Sequence, residues 1–194
     1  MPDQTPAKTA EITQFNQLSL APALISRLNE IGYEQMTPVQ SLGLPVILDN
    51  ADAVVRANTG SGKTTAFALA LLSKLNTKSF APQALVLCPT RELAHQVAEE
   101  VRNLAKSMTN IKILTLCGGE PSRIQTSSLE HGAHVLVGTP GRVLDHLEQR
   151  NVDLSALNTF VLDEADRMLE MGFQESLSAI VKHIPKARQT LLFS

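Results

Sequence analysis

The sequence predicts an α/β fold, a doubly wound and mostly parallel sheet with helices on both faces. Two observations carry this expectation. Short runs rich in leucine and β-branched residues are apolar at consecutive positions, as strands are when helices cover both of their sides. Between them lie longer segments of helical period, and strand–helix alternation at this pace pairs strands in parallel. A chain of 194 residues, 43% hydrophobic, is enough for one sizeable core and favours one domain over two.

Taken from the start, residues 1–14 are polar, contain Pro2 and Pro6, and read as a frayed tail. Strand candidates follow at 53–56, 84–89, 112–117, 135–138, 160–162 and 190–193. A helix-forming stretch at 65–75 comes after the first. Segment 91–108 places Leu93, Val97, Val101 and Leu104 three and four apart with charges opposite, and 142–150 places Val143, Leu144 and Leu147 likewise. The closing QTLLFS reads as an interrupted strand, so a longer chain is expected beyond Ser194. Ligands of such sheets sit beyond the carboxyl ends of the strands. The residues after each strand are therefore the candidates for chemistry.

Composition excludes some classes. With 17 Lys plus Arg against 19 Asp plus Glu, the net charge is −2, so no basic coat holds nucleic acid by charge alone. Any such contact must come from a few placed groups. Cys88 and Cys117 each end an apolar run and read as buried, reduced thiols, with no CxxC or Cys/His cluster to suggest a metal. The five histidines share no ligand spacing. The N-terminus has no apolar leader region and no run approaches membrane-spanning length, so a reducing cytoplasm is the expected setting. An ordinary surface composition favours a monomer.

After the first strand comes Ala57-Asn58-Thr59-Gly60-Ser61-Gly62-Lys63-Thr64, then a helix. Glycines there let the backbone turn its amides inward around a phosphate, and the positive end of the helix adds to the field. Lys63 would reach the β- and γ-phosphates, and the Thr64 hydroxyl would bind Mg²⁺. The other reading of the segment is a Gly-rich turn. After the fifth strand come Asp163 and Glu164. Mg²⁺ takes oxygen ligands and keeps several waters, which suits Asp163 as its partner. Glu164 can orient or deprotonate an attacking water. The alternative is a solvated acidic turn capping the next helix.

In combination, the GSGKT of 60–64 and Asp163-Glu164-Ala165-Asp166 resemble the DEAD-box family of ATP-dependent RNA helicases. Gly32-Tyr33-Glu34-Gln35-Met36-Thr37-Pro38-Val39-Gln40 is similar to that family's adenine-reading Q motif, with an isolated Phe15 upstream. Pro89-Thr90-Arg91-Glu92-Leu93, Gly118-Gly119 and Thr139-Pro140-Gly141-Arg142 resemble its RNA-binding elements, and Ser194 the first residue of its Ser-Ala-Thr motif. Asn58 departs from the Gln or Lys of many members. Within the family, 84–92, 113–119 and 163–173 look closest to the bacterial DbpA type. Members of that type act on large-subunit ribosomal RNA, and their target choice is associated with a C-terminal RNA-binding domain outside these residues.

The resemblance implies that 15–194 form the first of two RecA-like P-loop NTPase domains. It implies ATP and Mg²⁺ as cofactors, RNA as partner, and the second RecA-like domain as the source of arginines that complete hydrolysis. On the base side the nucleotide contacts would be Tyr33, Gln35 and Gln40. A Gln amide offers a donor and an acceptor side by side, matching adenine N6 and N7. Phe15 would anchor the loop by packing. Ala57, Asn58, Thr59, Gly60, Ser61, Gly62, Lys63 and Thr64 would hold the phosphates. Pro89, Thr90, Arg91, Gly118, Gly119, Thr139, Pro140, Gly141 and Arg142 would hold the RNA backbone through amides, hydroxyls and helix starts, which suits the low net charge. Asp166 and Ser194 would couple the ATP state to the RNA state, and Arg167 would form a structural ion pair. Two further readings stay open: a P-loop ATPase acting on DNA or protein, and a nucleotide-switched RNA clamp without productive unwinding.

Overall fold

The computed structural model describes residues 13–194. Its strands are β1 (Ala53–Val55), β2 (Ala84–Leu87), β3 (Ile113–Leu116), β4 (Val135–Gly138), β5 (Thr159–Leu162) and β6 (Gln189–Phe193). They form one sheet in the order β1-β6-β5-β2-β4-β3, and every pairing is parallel. All six expected strands are present. The mostly parallel sheet is wholly parallel among the described residues.

Among the described residues, eight α-helices connect and flank the strands: α1 (Pro22–Glu30), α2 (Pro38–Leu48), α3 (Lys63–Ser73), α4 (Arg91–Leu104), α5 (Ser122–Glu130), α6 (Pro140–Glu148), α7 (Ala165–Glu170) and α8 (Gln174–Val181). The strands explain their own double covering. Ala84, Val86, Val135, Val137, Val161 and Leu191 share a core with Leu24 and Leu28 of α1, Leu44 of α2, Phe67 of α3 and Val97 of α4. The alternate residues Leu85, Leu87, Leu136 and Phe160 share the opposite core with Leu129 of α5, Val143 of α6, Met168 of α7 and Ile180 of α8. Each strand thus needs apolar groups on both faces, the pattern that identified it.

Helix α3 is buried from Thr65 through Leu72, so it shows no polar stripe. The α4 helix is shorter than the expected 91–108: it ends at Leu104 and tightens into a 3-10 turn over Ala105–Ser107. Helix α6 begins at Pro140, earlier than expected, because proline fits the first helical position, where its missing N–H has no partner to lose. Residues 1–12 of the expected tail lie outside the described residues. Thr13 and Gln14, assigned to that tail, are held: the Met36 N–H donates to the Thr13 carbonyl at 2.8 Å, and Gln14 bridges Gln35. Cys88 and Cys117 are buried and unbonded, and burial pushes the Cys117 thiol up to about 11. No helix among the described residues is long and apolar enough to cross a membrane.

Candidate functional site

The loop after β1 is bound into the sheet before it curves away. The Ala57 N–H donates to the Ser194 carbonyl at 2.9 Å, and the Ser194 N–H to the Val55 carbonyl at 3.1 Å, which extends the β1–β6 ladder. Gly60 and Gly62 take φ of 81° and 89°, in the left-handed region that favours glycine. Lys63 opens α3, and its buried Nζ donates to the Ala57 carbonyl at 2.7 Å. The cation therefore sits within the arc of residues 57–63. Ser61 Oγ, on the same arc, is buried with no hydrogen-bond partner among the described residues.

Asp163 and Glu164 leave β5 beside that arc. The Asp163 N–H donates to the Leu87 carbonyl at 2.9 Å, so the ladder carries the residue past the strand end. Its side chain is 3% exposed, and burial raises the carboxyl to about 6, opposed by Lys63 and reinforced by Glu164. Asp163 Oδ1 is buried without a hydrogen-bond partner among the described residues. A cavity of about 220 Å³ is lined by Lys63, Thr64, Asp163, Glu164, Glu100 and neighbouring loop residues. An orphaned carboxylate oxygen beside a threonine hydroxyl is the donor set of a hydrated hard cation, so these residues fit Mg²⁺. Glu164 has φ 53°, a left-handed conformation for a residue with a Cβ, and its carboxylate pairs with Arg167 at 3.1 Å. Asp166 and Ser194 line a second cavity with Ala57, Asn58, Thr59 and Lys63. The two residues expected to couple states thus adjoin the phosphate loop.

On the other side of the loop, Phe15, Tyr33, Glu34, Gln35, Gln40, Gly60 and Gly62 line a cavity of about 480 Å³. Phe15 is buried with its ring 6.5 Å from that of Tyr33, close to parallel, consistent with its expected packing role. Gln40 is 3% exposed, with Oε1 accepting from the Thr37 N–H at 2.9 Å and Nε2 donating to the Gly62 carbonyl at 3.1 Å. The Thr37 hydroxyl donates to the Ser61 carbonyl at 2.7 Å. A primary amide has two N–H groups and two lone pairs. One of each remains on Gln40, which is what an adenine edge needs.

The segments expected to hold RNA follow β2, β4 and β3, neighbours at the other end of the sheet. Thr90 Oγ1 accepts from the Leu93 N–H at 3.2 Å and caps α4. The Arg91 guanidinium donates to the Gly118 carbonyl at 3.3 Å and lies against Gly119 (φ 88°). Arg142 donates to the Glu120 carbonyl at 3.1 Å. Pro89 and Pro140 are buried, and Gly141 stands in the first turn of α6 after Thr139. The sheet order therefore sorts the candidates into a nucleotide half (β1, β6, β5) and an RNA half (β2, β4, β3) on one rim.

Residues 37–194 match the DEAD/DEAH box helicase family. The chain belongs to that family. It is 56% identical over 184 residues to the ATP-dependent RNA helicase DbpA of Escherichia coli K12, covering 94% of this chain and 40% of that protein. It is 47% identical to the ATP-dependent RNA helicase DeaD of the same organism, covering 94% of this chain and 29% of that one. The crystal structure of a DEAD box protein from the hyperthermophile Methanococcus jannaschii superposes with a TM-score of 0.88 at 39% identity, over 94% of this chain and 50% of that one. The chain thus spans half or less of the length of these relatives.

Further residues border the candidate site of this DEAD/DEAH box domain without a role expected from the sequence, Thr37 among them although it stands in the 32–40 stretch. Thr37, whose hydroxyl braces the phosphate loop, had a visible signal: Thr37 and Gln40 form a capping box at the start of α2. Glu100, which accepts from Thr65 Oγ1 at 2.5 Å beside the acidic cavity, had none. Nor did Gln125 and His146, which lie between segments expected to hold RNA.

Proposed function

We propose that this chain is the ATP-binding domain of an ATP-dependent RNA helicase that hydrolyses ATP with Mg²⁺ to grip and locally open RNA. The observation that carries the reading is the shared cavity of Lys63, Thr64, Asp163 and Glu164. It sets a cation, a hydroxyl and two carboxylates from β1 and β5 around one space.

On this reading the amides of 59–63 receive the triphosphate. Lys63 exchanges a neutral carbonyl for phosphate oxygens, a stronger, charge-assisted bond. Thr64 and Asp163 would hold Mg²⁺, which when bound would supply Lewis-acid polarisation and neutralise charge on the phosphoryl oxygens. Glu164 exchanges its ion pair with Arg167 for the attacking water. The base enters beside Tyr33, Gln35 and the remaining donor and acceptor of Gln40. The RNA backbone lies across Pro89–Arg91, Gly118-Gly119 and 139–142, and a second RecA-like domain of the same protein closes over both ligands and adds arginines. Large-subunit ribosomal RNA is the target this reading takes, on the resemblance of 84–92, 113–119 and 163–173 to the DbpA type; the relative itself is named an ATP-dependent RNA helicase. A monomer in the cytoplasm is the setting this reading takes.

The test is ATP turnover by the protein carrying both domains, with single-stranded RNA, DNA of the same sequence, and a ribosomal RNA fragment. RNA is expected to accelerate hydrolysis and DNA to leave it near the basal rate. Equal stimulation by DNA, or none by RNA, overturns the RNA reading.

A further inference from the structure

We infer that Gln125 is a positioning residue for the RNA grip, fastening the loop after β3 to Arg142 and His146 of α6. The inference rests on the RNA reading above and adds a residue to it.

The loop at 117–120 contains Gly118 and Gly119, so no side chain of its own anchors its centre. Its position depends on its carbonyls, and three of them are caught from outside. Gln125 of α5 donates to Cys117 O at 2.9 Å, Arg91 of α4 to Gly118 O at 3.3 Å, and Arg142 of α6 to Glu120 O at 3.1 Å. Two of the three fasteners are the arginines that the RNA reading turns toward phosphate. Once they do so, the neutral, 4% exposed Gln125 remains as the fixed attachment.

The side chain of Gln125 is fully engaged. Its Nε2 donates to Cys117 O and to Glu120 Oε2 at 3.2 Å, and its Oε1 accepts from Arg142 Nη1 at 3.0 Å and from His146 Nε2 at 3.0 Å. Two hydrogens and two lone pairs meet four partners, so the amide cannot rotate without losing bonds. His146 is set for its part. Its Nδ1 faces the Asn151 side-chain amide at 3.2 Å, and that amide also donates to Gln149. Nδ1 is therefore an acceptor and Nε2 carries the hydrogen. Burial and the nearby Arg142 charge hold the imidazole neutral, below its ordinary range. The chain of contacts runs from Asn151 through His146 and Gln125 to Cys117, with Arg142 alongside. It fixes the spacing between two segments that arise from different strands, and preorganised spacing is what backbone recognition without base contacts requires.

The experiment uses the two-domain protein with Gln125→Met, which keeps the length of the side chain and removes its polar atoms. The expected result is an apparent KM for RNA raised about tenfold, the order of one lost bond to a charged partner. The KM for ATP and kcat at saturating RNA are expected to stay unchanged. A purely structural role would instead lower kcat and raise both KM values together. Gln125→Glu keeps acceptors for Arg142 and His146 but cannot donate to Cys117 O, and it provides the same reading if the methionine variant does not fold. Its KM for RNA is expected to rise as well. An unchanged KM for RNA in either folded variant overturns the inference. Absence of RNA stimulation in the unmodified protein overturns the RNA reading instead.

Discussion

Gln40 donates from its side-chain Nε2 to the carbonyl of Gly62 across 3.1 Å, joining the start of α2 to the phosphate loop. The residue expected to read the base is also a strut of the cradle. Gly62 must be glycine for two reasons. Its φ is 89°, and a Cβ there would run into the Gln40 amide.

Gln40→Ala is therefore expected to weaken both ATP and GTP, GTP by about 1–2 kcal/mol because the lost strut serves any triphosphate, and ATP by more because the adenine contact goes as well. Calorimetry with both nucleotides checks this. A loss confined to ATP would mean that the amide acts on the base alone.

Lys63→Ala is expected to abolish nucleotide binding and leave the fold intact, since the Nζ bond is to a loop carbonyl and not to the core. Circular dichroism and ATP calorimetry give the two answers. Unchanged ATP affinity would remove the phosphate-loop assignment.

The Asp163 carboxyl sits at about 6, above the 3.8 of a free aspartate, chiefly through burial. The folded state thus binds its proton more tightly than the unfolded state does. This stability is fully present below about pH 4 and is lost as pH rises through 6. At pH 7 the ionised group costs the ligand-free domain on the order of 3 kcal/mol. Asp163→Asn should flatten the fall in Tm between pH 4 and 7 and raise Tm at pH 7. The same slope in both proteins would rule out this group as its source.

Glu164→Gln in the two-domain protein is expected to bind ATP normally and stall turnover, with single-turnover hydrolysis reduced at least about a hundredfold. A rate near that of the unmodified protein would remove the water-positioning role.

Residues 1–194 alone are expected to bind ATP and ADP weakly and to show no acceleration by RNA, because on the proposed reading the arginines of a second domain would supply several orders of magnitude in rate. A steady-state ATPase assay on this fragment decides it, and robust RNA-stimulated turnover would contradict the two-domain mechanism.

The parts of the site legible in the sequence are those whose chemistry needs neighbouring residues. The 57–64 loop and Asp163-Glu164 work as contiguous segments after strands, so spacing and strand pattern reveal them together. Helix α2 has no helical period in the sequence, because Pro45 interrupts its middle and its apolar residues lie all round it. The Gln125 cluster was illegible for another reason. Its partners Cys117, Arg142 and His146 stand 8, 17 and 21 positions away, and the parallel pairing of β3 with β4 brings them together. The second function of Gln40 was hidden similarly, since Gly62 is 22 positions away.

Strand β1 pairs with β6 alone among the described strands, and Val54 on it is 71% exposed beside Leu42 and Val46, which help line an apolar groove of about 790 Å³. Its free margin offers unpaired peptide groups next to greasy side chains, a template onto which any extended segment can align. That border lies at the end of the sheet opposite β3, and its groove reaches Ala57 and Ser61 of the phosphate loop. Whatever shields that border decides whether the molecule stays solitary or zips onto its neighbours.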